Sequence, residues 1–312
     1  MHKNPAGLKV GVVGLGQMGR PMAANLLRKG FSPFGYDVHA PALESAVRAG
    51  LRAADSPLEV LRQADVVILS LPTEAVLEQV MLGPQGLAGA SVRGKILVDT
   101  TTTTVSLAQD LAKAVASHGG TFLDAPVTGG SAGAEAGTLT FMVGGEGADF
   151  ERVRPVLNAL GATLVHAGGS GQGQAAKMVN QMLMAAIYVS VAESFAFAVQ
   201  LGADISKVYA AVENGGGQSR LLGSIKEYML SGRTRENGNI DQHGKDIDYV
   251  MAEANRRHLT LPLTSQVHEF YNLSRTLGYG RVWSGDMWAV WEKILGIKFT
   301  NTITSVPRGK SE

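Results

Sequence analysis

Cysteine is absent from all 312 residues, which excludes disulfides, thiolate nucleophiles and cysteine-ligated zinc, and fits a reducing compartment. Excess charge is missing too. Lys and Arg total 28 against 27 Asp and Glu, and no basic stripe interleaved with aromatics offers to bind a phosphate backbone, so no nucleic-acid partner is expected. None of the seven histidines stands at a metal-ligand spacing; His268-Glu269 has no second histidine four residues on, and no metal site is expected. Ser70, Ser131 and Ser170 lack the motifs of a nucleophile. Only residues 178–200 reach the length of a membrane span. That stretch holds Asn180, Gln181, Ser190, Glu193 and Ser194, so a buried helix is expected and no membrane partner. Residues 1–7 show no apolar signal segment, which makes the cytoplasm the expected location.

What is present reads as two domains. β-Branched and aliphatic runs at 8–13, 34–37, 66–70, 96–99 and 122–124 alternate with helical stretches, among them one opened by Ser56, Pro57 and Glu59 as cap, first-turn proline and capping-box partner. Strands alternating with helices predict a Rossmann-like α/β domain with a doubly wound parallel sheet. A glycine-rich loop at 125–137, strands at 138–144 and 163–166 and a seam at 168–171 complete it. From Gln174 onward only helical periodicity appears, broken at Gly202, 215–217, Gly232, Gly238 and Pro262. The expected division is a dinucleotide-binding domain over 1–169, an all-helical substrate and dimerisation domain over 170–300 that begins with a long interdomain helix, and a disordered tail over 301–312.

Gly14-Leu15-Gly16-Gln17-Met18-Gly19 follows the first strand and opens a helix, the context in which a glycine turn holds a pyrophosphate: one glycine for the turn, one for close backbone approach, one for helix packing. Asp37, eighteen residues after Gly19, ends the second strand, where a carboxylate accepts from ribose hydroxyls and repels a 2′-phosphate. NAD is therefore expected over NADP. Leu71-Pro72 and the Thr100–Thr102 run fall at the carboxyl edge of the sheet, where ligands lie in such folds; β-propensity and helix capping explain the threonines equally well. Thr128 with Gly129 and Gly130 offers a hydroxyl and successive N–H groups to an anion such as a substrate carboxylate. Lys177, alone near the domain junction at the entrance to the long helix, is placed to move the proton that accompanies hydride chemistry.

Four blocks, 14–30, 124–145, 171–181 and Gly244-Lys245-Asp246, in this order and spacing, resemble the β-hydroxyacid dehydrogenases, the family of 3-hydroxyisobutyrate dehydrogenase and tartronate semialdehyde reductase. The resemblance implies an NAD-dependent oxidoreductase that moves hydride reversibly between cofactor and a small 3-hydroxy acid or its semialdehyde, with Lys177 as general acid and base. It further implies substrate contacts from Thr128, Gly129, Gly130, Asn180 and Gln181, with Asp246 beside them orienting Lys245. Cofactor contacts are implied at Leu71, Pro72, Thr102 and Lys245. Thr128 departs from the serine usual in the family, keeping the hydroxyl and adding a methyl. Arg220 and His243 are candidates for reading the substrate's tail, and Trp283, Trp288 and Trp291 for core or dimer packing. Expected partners are a carboxylate-bearing small molecule and further copies of the chain, as a homodimer or homotetramer. Two other readings stay open: a reductase of imines or other small carbonyls, and a catalytically silent NAD-binding module.

Overall fold

In a computed structural model describing residues 7–235 and 238–302, the first unit alternates β1 (Val10–Val13), α1 (Gly19–Arg28), β2 (Phe34–Tyr36), α2 (Ala40–Arg48), β3 (Arg52–Ala53), α3 (Pro57–Gln63), β4 (Val66–Leu69), α4 (Glu74–Leu82), β5 (Ile96–Asp99) and α5 (Val105–Ser117). It continues with β6 (Thr121–Asp124), β7 (Val127–Thr128), α6 (Gly130–Ala136), β8 (Leu139–Gly144), α7 (Gly147–Leu157) and β9 (Gly161–Gly168). The strands lie in the order β3-β2-β1-β4-β5-β6, all parallel; β8 then runs antiparallel to β6 and β7, and β9 runs parallel to β8. The order reverses between β1 and β4, so the carboxyl ends of these two strands flank the crevice where such sheets bind ligands.

β1, β4 and β5 are buried at every residue, the mark of central strands covered on both faces. Val10, Val12, Val66 and Ile68 face a core completed by Met22 and Leu26 of α1 and Phe150 and Val153 of α7. Their neighbours Val13, Val67 and Leu69 point the other way, onto Val60 of α3, Leu77 of α4 and Leu111 of α5. The two-residue side-chain period of the strands thus feeds two helix layers. The expected cap of α3 forms with a shift: Ser56 Oγ accepts from the Glu59 N–H at 3.2 Å, while the Glu59 carboxylate takes the Asp55 N–H rather than that of Ser56.

The chain over 125–137 differs from the expected open loop. Val127–Thr128 pairs antiparallel with β8, and residues 130–136 coil into α6, closed by left-handed Gly137. The many small residues there hide both periodicities from a sequence reading.

The second unit is helical: α8 (Gln172–Gln200), α9 (Ile205–Val212), α10 (Arg220–Ser231), α11 (Ile240–Arg256), α12 (Pro262–Thr276) and α13 (Trp288–Leu295). Asp204, Ser219 and Asn239 cap α9, α10 and α11 with side-chain oxygens. The compact units divide at Met178/Val179, inside α8. The sequence places the seam at 169/170; the two first turns of α8 belong with the sheet because polar contacts described below fasten them there. α8 is long and apolar enough to cross a membrane, but Ala185, Tyr188, Ala192 and Phe195 form one wall of the second core with Ile247, Tyr271 and Trp288. Trp283 joins that core and Trp291 stacks on Phe270 at 5.4 Å, which makes the tryptophans packing residues. Of the tail expected over 301–312, residues 303–312 lie outside the described chain.

Candidate active site

The glycine turn has a separate reason for each glycine. Gly14 sits at φ +91°, and a Cβ there would overlap the Ser70 carbonyl; one on Gly19 would overlap the carbonyl of Gly14. Gly16 meets nothing within 4 Å, so its backbone faces the open space that a pyrophosphate needs. α1 starts directly afterwards with no side-chain cap and no acidic residue in its first turn, which keeps its N-terminal N–H groups and positive dipole end suited to an anion. Asp37 folds back on this turn: Oδ2 accepts from the Leu15 N–H at 2.6 Å and Oδ1 from the His39 N–H at 2.7 Å. Its next neighbour Val38 is 87% exposed. These residues fit a dinucleotide.

At the tips of β4 and β5 the threonine run divides its work. Thr100 Oγ1 donates to the Leu69 carbonyl, Thr101 Oγ1 accepts from the Leu71 N–H, and Thr104 caps α5. Thr102 alone of Thr100–Thr104 is not buried, which leaves it, with half-buried Leu71 and exposed Pro72, on the ligand edge of the sheet.

Below that edge two carboxylates lie side by side. Asp99 and Asp124 are register partners on β5 and β6, both at 0% exposure. Burial, countered only partly by hydrogen bonds from Thr101 and reinforced by the charge of Asp124, pushes Asp99 up to about 7. Burial likewise pushes Asp124 up to about 6, against the opposing effect of backbone N–H groups at Gly171 and Gln174. Gln174 is itself fully buried, donating to the Thr101 carbonyl at 2.7 Å and accepting from the Thr103 N–H at 3.1 Å.

One turn beyond Gln174, Lys177 is 8% exposed and its Nζ donates to the Val127 carbonyl at 2.9 Å. The residue after Val127 is Thr128, followed by Gly129 at φ +122° and Gly130 at φ +62°. A Cβ on Gly130 would meet nothing within 4 Å. The amine of Lys177 is thereby anchored to the residue that precedes Thr128, Gly129 and Gly130 at the end of β7.

The candidates of the second unit form a network of their own. Gln181 Nε2 donates to Asp246 Oδ2 at 2.6 Å and its Oε1 accepts from Asn180 Nδ2 at 2.9 Å. Lys245 Nζ stands 3.0 Å from Asp246 Oδ1 and 5.0 Å from the Tyr249 ring centroid. Gln181, 6% exposed, thus ties α8 to α11, while Asn180 is the more accessible of the pair. His243 is an internal link rather than a reader of substrate: Tyr271 Oη lies 2.7 Å from Nδ1, and Nε2 faces the Gln181 carbonyl at 3.3 Å. Arg220 is exposed at the start of α10. Sequence reasoning missed Asp99, Asp124 and Gln174. The available signal was a polar residue at the end of each aliphatic strand, opposite glycines at 144, 171 and 173.

Fold and site together define a nicotinamide-dinucleotide oxidoreductase. The family model for the NAD-binding domain of 6-phosphogluconate dehydrogenase matches residues 9–169, and that for the NAD-binding domain of NADP-dependent 3-hydroxyisobutyrate dehydrogenase matches residues 171–285. The chain is 32% identical to 2-(hydroxymethyl)glutarate dehydrogenase of Eubacterium barkeri, covering 93% of this chain and 97% of the relative. It is 35% identical to 2-hydroxy-3-oxopropionate reductase of Escherichia coli (strain K12), over 85% and 90%. A solved structure of Mycobacterium tuberculosis 3-hydroxyisobutyrate dehydrogenase with L-serine superposes with a TM-score of 0.82 at 29% identity, covering 92% of this chain and 99% of that one. The chain belongs to the β-hydroxyacid dehydrogenase family. It is an NAD-dependent oxidoreductase of hydroxy acids.

Proposed function

We propose that Lys177 is the general acid and base of this enzyme and that Thr128, Gly129 and Gly130 take the carboxylate of a small 3-hydroxy acid or the matching semialdehyde. The observation that carries the reading is the 2.9 Å hydrogen bond from Lys177 Nζ to the Val127 carbonyl, which supports a place for the amine next to Thr128, Gly129 and Gly130. Bound NAD supplies the hydride acceptor in oxidation and the donor in reduction. In oxidation the neutral amine of Lys177 takes the substrate's hydroxyl proton; in reduction its ammonium returns a proton to the carbonyl oxygen. The N–H groups of Gly129 and Gly130 orient the substrate by its carboxylate, and Asn180, one turn on from Lys177, adds a hydrogen bond to the reacting oxygen. Gly14, Leu15, Gly16, Gln17, Met18 and Gly19 hold the pyrophosphate, Asp37 the adenine ribose, and Leu71, Pro72 and Thr102 the nicotinamide side. Lys245 is a further cofactor contact, steadied by Asp246 and through it by Gln181.

Homo-oligomer formation, as dimer or tetramer, is supported by exposed Val179, Leu183 and Phe197 along α8 and Leu201 just past its end, at 57%, 61%, 65% and 68%. These are large apolar side chains that a second copy would cover. Its place is the cytoplasm, with access to the NAD pool it draws on.

The test is NADH-linked absorbance across 3-hydroxyisobutyrate, glycerate, threonate, hydroxymethylglutarate, L-serine, succinic semialdehyde and glyoxylate, with native protein and Lys177→Ala. Loss of general acid-base catalysis costs about 10²–10⁴ in kcat while NADH binding persists. Equal turnover by Lys177→Ala would refute the assignment.

A further inference from the structure

We propose that Asp124 is the positioning residue for Lys177, holding the helix that carries the amine through the two N–H groups that a capping box would otherwise satisfy. The inference rests on reading Lys177 as the acid and base. A capping box pairs the N–H of the third helical residue with the cap residue's side chain, and the cap residue's own N–H with the side chain of that third residue. In α8 the cap position is Gly171, whose carbonyl accepts from the Ala175 N–H and which has no side chain to offer. The third residue, Gln174, has turned its amide away to Thr101 and Thr103. Asp124 fills both roles from the adjoining strand: Oδ1 accepts from the Gly171 N–H at 2.8 Å and Oδ2 from the Gln174 N–H at 2.9 Å.

The space around that carboxylate is cut to its size. A Cβ on Gly144, its cross-strand partner, or on Gly173 would collide with the Asp124 oxygens, so both positions need glycine for the carboxylate to reach the helix start. The chain then closes a ring. Asp124 fixes the first turn of α8, Lys177 stands in the second turn, and its Nζ returns to the carbonyl of Val127, three residues along from Asp124. One short segment sets both the origin of the helix and the resting point of the amine. Proton transfer needs its partners within hydrogen-bond reach, and a displacement of about 1 Å costs on the order of 10²-fold in rate. A cap made of a single fully buried carboxylate gives that control over the lysine without touching substrate.

The test compares native protein, Asp124→Asn and Gln174→Met. Asparagine keeps one acceptor and sets an amide N–H against a backbone N–H; Gln174→Met loosens the same turn without altering Asp124, so one variant answers if the other fails to fold. Expected is a kcat reduced about 10- to 100-fold, with KM and the NADH dissociation constant within about twofold. Asp124→Asn is expected to cost nothing further in a Lys177→Ala background. A general loss of structure would instead lower both backgrounds alike and weaken NADH binding, and that pattern overturns the proposal. A readout independent of turnover is the acetylation rate of Lys177, followed by peptide mass spectrometry with exposed Lys113 as internal standard. Several-fold faster labelling of Lys177 in both variants supports positioning, and an unchanged rate overturns it. Should native protein turn over no substrate in the panel, the functional reading fails, and labelling still decides whether Asp124 holds the lysine.

Discussion

Replacing Asp99 by asparagine is expected to stabilise the protein in alkali and not in acid. The carboxyl is fully buried; Oδ1 accepts from the Thr101 N–H at 3.0 Å, and Oδ2 meets no protein donor among the described residues. Its pKa is raised from 3.8 to about 7, chiefly by burial. A carboxyl whose folded pKa is raised binds its proton more tightly in the native state than in the unfolded chain, so stability falls as pH rises from about 4 through about 7 and recovers on acidification. At about 1.4 kcal/mol per pH unit, the cost grows by roughly 3 kcal/mol between pH 5 and pH 8. Asparagine removes that titration but buries an N–H₂ group where Oδ2 stood, a pH-independent penalty of about 1–3 kcal/mol. The cost already stands near about 1.5 kcal/mol at pH 5, so the variant should lie within about 1 kcal/mol of native there and gain about 1–3 kcal/mol over it at pH 8. Urea unfolding without cofactor measures both: the midpoint difference should move in the variant's favour by about 1 M between pH 5 and pH 8. A difference independent of pH would refute the claim that Asp99 folds with a raised pKa.

Asp37→Ser should narrow the preference for NAD over NADP about 30-fold or more, since a carboxylate about 4 Å from a dianionic 2′-phosphate costs about 2 kcal/mol even at aqueous dielectric. The ratio of kcat/KM values for the two cofactors reports it, and an unchanged ratio counts against the ribose assignment. Gly19→Ala drives a methyl into the Gly14 carbonyl and should abolish NADH binding, read by fluorescence titration; native affinity would show that the turn has slack the structure does not display. Leu183→Lys with Phe197→Lys, both exposed on α8, should convert an oligomer to monomer in light scattering at an unchanged far-UV CD spectrum. An oligomer that persists would place the interface elsewhere.

The features legible in the sequence were those governed by local chemistry. Strands at 10–13, 66–69 and 96–99 are aliphatic because both their faces are covered; the glycine turn and Asp37 sit at spacings set by one strand, one helix and a second strand. β3 escaped notice because its two residues are both exposed and show no apolar pattern. β7 and α6 are masked by glycines, and the compact units part nine residues beyond the glycine seam because Gln174 and Lys177 look like any helix start until their partners are known. Asp99 and Asp124 read only as strand ends. Their role depends on which strand lies beside which and on a helix start fifty residues away, and no local pattern encodes a hydrogen bond across that separation.

The 2.6 Å hydrogen bond between Asp37 and the Leu15 N–H has an evolutionary consequence. The same carboxylate proposed to meet the adenine ribose and repel a 2′-phosphate also braces the loop in which Gly14 and Gly16 stand. A lineage drifting toward the phosphorylated cofactor cannot exchange this residue freely: a basic or aliphatic replacement frees the Leu15 amide and loosens the turn before the new coenzyme is well held. A cationic side chain here calls for a second change that supplies another acceptor to that amide. Cofactor preference in this scaffold is thus guarded by the shape of the loop as much as by charge.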